Sequence, residues 1–133
     1  NIKKLNLSDN VFLVGKINGN LKQKFLQSSD VFVMPSYKVN NSIEGFGISY
    51  IEAAAFRIPS IAGLDGGVTD AVIDKKTGWC VDPLNQEQLA NVLRDAINNK
   101  DQRQKYGLHA EKNFLQYFLG EKVFRKFMDT IKI

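Results

Sequence analysis

Glu44 and Glu52 stand eight residues apart in IEGFGISYIEAAAFRIP, residues 43–59, with Gly45 and Gly47 between them and a run of alanines behind. Carboxylates suit vicinal hydroxyls, because each oxygen can accept a separate O–H. Gly45 and Gly47 carry no Cβ, so the chain can turn sharply there and present bare backbone amides. A helix starting at Gly47 puts the positive end of its dipole behind those amides, which favours phosphate or sugar oxygens. Glu52 then lies roughly 7 Å farther along, at about 1.5 Å of rise per residue. One segment thus offers an acceptor at each end and donors between, which fits a sugar, a diphosphate and a ribose laid end to end. Singly, a Gly-x-Gly is also a common loop entry, and a helix glutamate is commonly just solvated. Tyr50, Ile51 and Ala53 to Phe56 around Glu52 point to a well-packed helix with little free water.

Other reactive residue types read as structural. His109 has no cysteine or second histidine near it, and metal sites need several ligands, so it is a surface or packing residue. Cys80 lies in an apolar run beside Trp79 and reads as a small buried hydrophobe. Neither Ser36 nor Ser49 has a general base in sequence, which nucleophilic serine chemistry requires. No metal site is expected, and the sequence holds no Asp-x-Asp pair. Gly66-Gly67 reads first as a tight turn.

The elements that must position these groups follow a strand-then-helix rhythm. Apolar runs at Val11–Val14, Val31–Met34, Ile58–Ala62 and Trp79–Val81 predict four short strands. Helical spacing predicts helices over residues 21–28, 47–56 and 68–74. Asn85, with Gln88 three residues on, predicts a capped helix with Leu89, Val92, Leu93 and Ala96 on one face. Asp101 is a candidate cap for a further helix carrying Tyr106, Ala110, Phe114 and Phe118. After Gly120 a terminal helix over 121–132 holds Val123, Phe124, Phe127 and Ile131. Strands apolar throughout, each followed by a helix, imply an α/β fold: a Rossmann-like parallel sheet with helices on both faces. In such sheets ligands sit beyond the carboxyl ends of the strands, and residues 35–47 lie at one of those ends.

At 133 residues the chain is one domain's worth, long enough to bury a core. With 44% hydrophobic and 24% charged residues, its composition is that of a folded domain. The formal charge of +4 is uneven: residues 1–40 hold six lysines against two aspartates, whereas residues 41–99 hold eight acidic against four basic residues. Nucleic-acid binders place basic residues where their motifs are. Here the motif-bearing middle is acidic, which argues against a nucleic-acid partner. Basic flanks leave open a peripheral contact with an anionic membrane surface, although scattered lysines are commonly just solvated. One cysteine excludes an internal disulfide and fits a reducing compartment or simple indifference to redox; a cytoplasmic setting is expected. The chain opens at Asn1, which reads as a piece of something longer.

Gly15, Pro35-Ser36, Glu44-Gly-Phe-Gly47, Glu52-Ala53, Pro59, Gly66-Gly67, Thr77-Gly78 and Asp82-Pro83 resemble, in order, the C-terminal domain of family 4 retaining glycosyltransferases of GT-B fold. The likeness runs from about residue 10 to 118, and the two glutamates resemble that family's E-x₇-E motif. The stretch EGFGISYIEAAA is most similar to members that move mannose or related hexoses onto lipid or glycan acceptors. The resemblance implies a nucleotide-diphosphate sugar as donor, no cofactor, and retention of the anomeric configuration. It implies that Glu44 holds the donor sugar and that Phe46, Gly47 and Ile48 offer amides to sugar and phosphates. Glu52 would hold the ribose hydroxyls, and Lys16 and Ile17 would sit near the base. Gly66-Gly67 would bring bare backbone up to the donor or the acceptor. In GT-B enzymes the last helix commonly crosses to the other domain, so Val123, Phe124, Phe127 and Ile131 would form an exposed apolar stripe or pack in a crystal or dimer contact. The whole chain, residues 1–133, would be the donor-binding portion, with an acceptor-binding N-terminal domain not included in it. The family's basic pair for the leaving diphosphate matches no residue here, and Arg57 replaces a glycine that usually ends the helix. Two other readings remain: a non-catalytic nucleotide-sugar binding module, and a related GT-B epimerase or phosphorylase. On the leading reading the 133-residue chain alone transfers no sugar; turnover by the purified chain with any nucleotide sugar would overturn it.

Overall fold

The computed structural model describes residues 1–37, 47–64 and 67–122. Within them β1 (Phe32–Met34), β2 (Ser60–Gly63) and β3 (Gly78–Val81) form one parallel sheet in that order. Phe32 pairs with Ser60, and Ile61 with Trp79. The helices are α1 (Gly19–Gln27), α2 (Ile48–Ala55), α3 (Val68–Ala71), α4 (Gln86–Asn98) and α5 (Lys100–Asn113). A 3-10 turn at Lys3–Leu5 precedes them, and α5 widens into a π-type turn at Phe114–Phe118.

All four residues of β2 are buried, because helices cover both faces of the central strand. Side chains alternate across a strand, so Ile61 and Ala62 enter different cores. Ile61 packs with Trp79, Val81, Ala96 and Tyr106, the side of α4 and α5. Ala62 packs with Tyr50, Ile51, Val68, Ala71 and Val72, the side of α2 and α3. A third cluster of Leu26, Ala53 and Ile58 fastens α1 to α2. The expected α/β architecture is therefore present.

The helix ends follow from local chemistry. Asn18 accepts from the Leu21 amide at 2.9 Å, and Asn85 from the Gln88 amide at 3.0 Å. Such caps are each worth about 1 kcal/mol. Asn99, not Asp101, caps α5, accepting from the Gln102 amide at 3.0 Å, so Asp101 falls inside the first turn. Arg103 closes the end of α4, donating to the Ala96 and Ile97 carbonyls at 2.7 and 2.6 Å. Arg57 ends α2 in the left-handed conformation, φ 61°, although it is not glycine. The Ile58 amide reaches the Ala53 carbonyl and the Arg57 amide the Ala54 carbonyl, both at 3.1 Å, a Schellman closure. The turn a glycine would favour is thus kept, with the guanidinium bonded to Glu111 at 2.7 Å.

One expected strand does not form. Val11, Phe12, Leu13 and Val14 are all exposed, Leu13 at 87%, and the Val11 amide turns back to the Leu7 carbonyl at 2.9 Å. β-propensity alone does not make a strand; the backbone needs a ladder partner. Among the described residues β1 pairs only with β2, and no strand lies beside residues 11–14. The terminal stripe at Val123, Phe124, Phe127 and Ile131 lies outside the described residues.

Gly107 of α5 sits directly on the Arg57 turn, where an added Cβ would fall 2.0 Å from the Arg57 carbonyl oxygen. Forcing that contact pushes α5 off the sheet. Gly107→Ala should lower stability by about 1–3 kcal/mol, the range for overpacked cores, as read by urea denaturation. An unchanged midpoint would mean that α5 yields freely there.

Candidate functional site

The carboxyl ends of β1 and β2 meet the start of α2, and Tyr50 makes the joint. Tyr50 is 1% exposed, and its hydroxyl donates to the Met34 carbonyl at the end of β1. The Ser36 hydroxyl lies 3.4 Å from the same phenol oxygen. The ring meets Phe32 edge to face, centroids 5.7 Å apart. The same ring fills the space above Gly47: a Cβ there would lie 2.4 Å from it. Gly47 also has φ 71°, so both conformation and space require glycine at the head of α2. On β2, a Cβ at Gly63 would fall 2.0 Å from the Ser36 carbonyl oxygen, which brings the two strand ends close together.

Among the described residues no side chain caps α2; the Tyr50 amide turns back to the Gly47 carbonyl at 2.9 Å, and the amides of Ile48 and Ser49 have no acceptor there. Ile48, the first helical residue, is 70% exposed there. One turn farther on, Glu52 opens into a cleft of about 330 Å³, lined by Gly19, Lys22 and Leu26 of α1 and by Ile51, Glu52 and Ala55 of α2. Lys22 Nζ donates to Glu52 Oε2 at 2.5 Å. The two side chains are 41% and 39% exposed, a regime in which an ion pair adds about 0–1 kcal/mol to stability. Glu52 is thus held by a cation from another helix at little consequence for the fold.

The structure brings together Gly47, Ile48 and Glu52 on one helix. Lys16 and Ile17 lead into α1, whose first residue, Gly19, lines the Glu52 cleft. Gly67 heads α3 without a side-chain cap, and the Asp70 amide donates to its carbonyl at 3.2 Å. Glu44, Gly45, Phe46 and Gly66 lie outside the described residues. Lys22 was not legible from sequence, because no spacing ties a lysine on α1 to a glutamate thirty residues on. An aromatic two residues before Glu52 was the available signal for Tyr50.

Burial, and then the nearby Asp74 carboxylate, push the Cys80 thiol up to about 11, which disfavours its thiolate. His109 packs its Nδ1 3.2 Å from the Lys76 carbonyl. Among the described residues no group of three or more His, Cys, Asp or Glu could hold a metal ion. Nor is any described helix long and apolar enough to cross a membrane.

Residues 1–113 match the family described as "Glycosyl transferases group 1". The chain is 28% identical over 123 residues to a GDP-mannose-dependent monoacylated alpha-(1-6)-phosphatidylinositol monomannoside mannosyltransferase of Corynebacterium glutamicum, covering 88% of this chain and 32% of that protein. It is 37% identical over 71 residues to a GDP-mannose-dependent alpha-(1-6)-phosphatidylinositol monomannoside mannosyltransferase of Mycolicibacterium smegmatis, 52% of this chain and 19% of that one. Among solved structures it is similar to TarM of S. aureus in a complex that includes UDP, at 27% identity and TM-score 0.82, over 99% of this chain and 26% of TarM. The chain therefore spans between about a fifth and a third of the length of these proteins.

Removing the phenol hydroxyl tests the joint between β1 and α2. Tyr50→Phe keeps the ring under Gly47 but deletes its bond to the Met34 carbonyl. It should cost about 0.5–1.5 kcal/mol by chemical denaturation, the net worth of one neutral hydrogen bond. No measurable loss would show that ring packing alone holds the helix.

Proposed function

This chain belongs to the group 1 glycosyl transferases, and on that premise we propose that it is the donor-binding portion of a retaining hexosyltransferase. The full enzyme moves a hexose from a nucleotide-diphosphate sugar to a lipid or glycan acceptor. The observation that carries the reading is the layout of α2. Its open N-terminus stands at the carboxyl ends of the strands, where α/β sheets bind ligands, and Glu52 faces a cleft one turn farther along. The diphosphate lies against the amides at Gly47 and Ile48, with the helix dipole behind them. The ribose reaches Glu52, and the base lies toward Lys16, Ile17 and the start of α1. Glu44 holds the sugar, and Phe46, Gly66 and Gly67 offer backbone groups to the donor.

In this reading the chain supplies position and electrostatics. As the sugar–phosphate bond breaks, negative charge grows on the departing diphosphate, and the α2 amides donate to it. Glu44 fixes the sugar while the acceptor hydroxyl attacks from the face the diphosphate leaves and gives its proton to the departing phosphate oxygen, which keeps the anomeric configuration. The acceptor site and the basic pair for the diphosphate belong to the remainder of the protein. Support comes from relatives named as GDP-mannose-dependent mannosyltransferases and from the UDP complex of TarM. The basic flanks fit a protein working at the cytoplasmic face of a membrane that carries its lipid acceptor.

Two substitutions in the full protein test the reading. Glu52→Gln should weaken binding of the nucleoside diphosphate by roughly 10- to 100-fold, the worth of hydrogen bonds to a charged acceptor. Glu44→Gln should leave that binding nearly as before while the transfer rate drops. Calorimetric titration with nucleotide and with nucleotide sugar reads the binding of both variants, and a transfer assay reads the rate. A lower melting temperature for Glu52→Gln with binding unchanged would make Glu52 a packing residue and end the proposal.

A further inference from the structure

We propose that Lys22 is a second recognition residue of the donor cleft, forming with Glu52 a clamp for the vicinal hydroxyls of the ribose. The inference rests on the reading of that cleft as the nucleotide site. A vicinal diol carries two O–H donors and two oxygens that also accept, whereas an ionised carboxylate only accepts. Glu52 alone therefore satisfies half of the diol. A lysine ammonium supplies the other half, having three donors and no acceptor.

The geometry has these groups in place. Lys22 Nζ uses one donor on Glu52 Oε2 at 2.5 Å, and both side chains line the same cleft. Among the described residues Glu52 Oε1 and the other ammonium protons make no hydrogen bond, so both partners keep free capacity toward the cleft. Their bases are fixed independently of the pair, because Leu26 of α1 packs with Ala53 of α2 and Ile58 directly behind it. Asn18 caps α1 one turn before Lys22, which steadies the helix that carries the ammonium. The pair is too exposed to matter much to folding. A bound nucleoside that excludes water from the cleft strengthens every charged contact in it. Lys22 thus adds donors where Glu52 adds acceptors, and the clamp selects nucleotides whose ribose hydroxyls are both free.

The test compares UDP and GDP with their 2′,3′-dideoxy counterparts by isothermal titration of the full protein, as wild type, Lys22→Met and Glu52→Gln. Lys22→Met should weaken the better-binding ribonucleotide about 10-fold, the scale of one hydrogen bond involving a charged group. It should leave the dideoxynucleotide nearly unaffected. The readout is the ratio of ribo- to dideoxynucleotide affinity, from which any loss of folded protein cancels; Lys22→Gln, read the same way, guards against a misfolded methionine variant. An unchanged ratio in both lysine variants overturns the clamp, and equal losses with both nucleotides would place the ammonium on the phosphates instead. If Glu52→Gln collapses the ratio and the lysine variants do not, only the clamp falls. If Glu52→Gln also leaves it unchanged, the donor-site reading fails with it.

Discussion

A buried phenol needs a partner for its hydroxyl, and Tyr50 finds it at the Met34 carbonyl, where the short β1 ladder ends. That bond, with the edge-to-face contact to Phe32, fixes where α2 begins and which way it turns. Successive helical residues are rotated by about 100°, so a residue two positions on points to nearly the opposite side. Burying Tyr50 therefore forces Glu52 outward, toward α1 and the cleft. Ala53 and Ala54, 0% and 5% exposed, let the helix lie close without lifting either residue from its side. Glu52 faces a ligand-sized space because Tyr50 faces the core.

The two faces of the sheet are built differently. Beneath α4 and α5 large side chains dominate, with Trp79 and Tyr106 rings 4.9 Å apart and Leu89, Val92 and Leu93 around them. Over α2 and α3 the core mixes Tyr50, Ile51, Val68 and Val72 with Ala62 and Ala71, and Phe32, Met34 and Phe114 pack against it. Both faces resist deformation, because cores are packed to near crystal density. At the strand ends the missing Cβ atoms of Gly47 and Gly63 let the Tyr50 ring and the Ser36 carbonyl come close.

Much of this was legible in the sequence because the signals are local. Asn85 with Gln88 announced α4, and the apolar runs at 31–34, 58–62 and 79–81 announced β1, β2 and β3 to within two residues. Gly47 was recognisable as a helix head from its neighbours. Three features were not legible, each for a nonlocal or competitive reason. Residues 11–14 have a strand's composition, but pairing depends on a partner elsewhere in space. Asn99 and Asp101 both suit a cap, and the choice follows from where Arg103 closes α4. Lys22 reaches Glu52 only because Leu26 and Ala53 pack their helices together, a contact that no spacing within one segment encodes.

Fold and site draw on separate contacts even where they share a helix. Tyr50, Ile51, Ala53 and Ala54 of α2 are buried and hold the domain together, whereas Ile48 and Glu52 are open to solvent. Exposed ion pairs add little to stability, so selection on the fold places weak demands on Lys22 and Glu52. The opposite holds for Gly47, whose positive φ and ring contact serve the core and the open amides at once. Cleft residues can therefore vary with the ligand while the helix head stays fixed. A single α2 in this way holds the sheet through one side while its other side, with Lys22 arriving from α1, shapes the cleft.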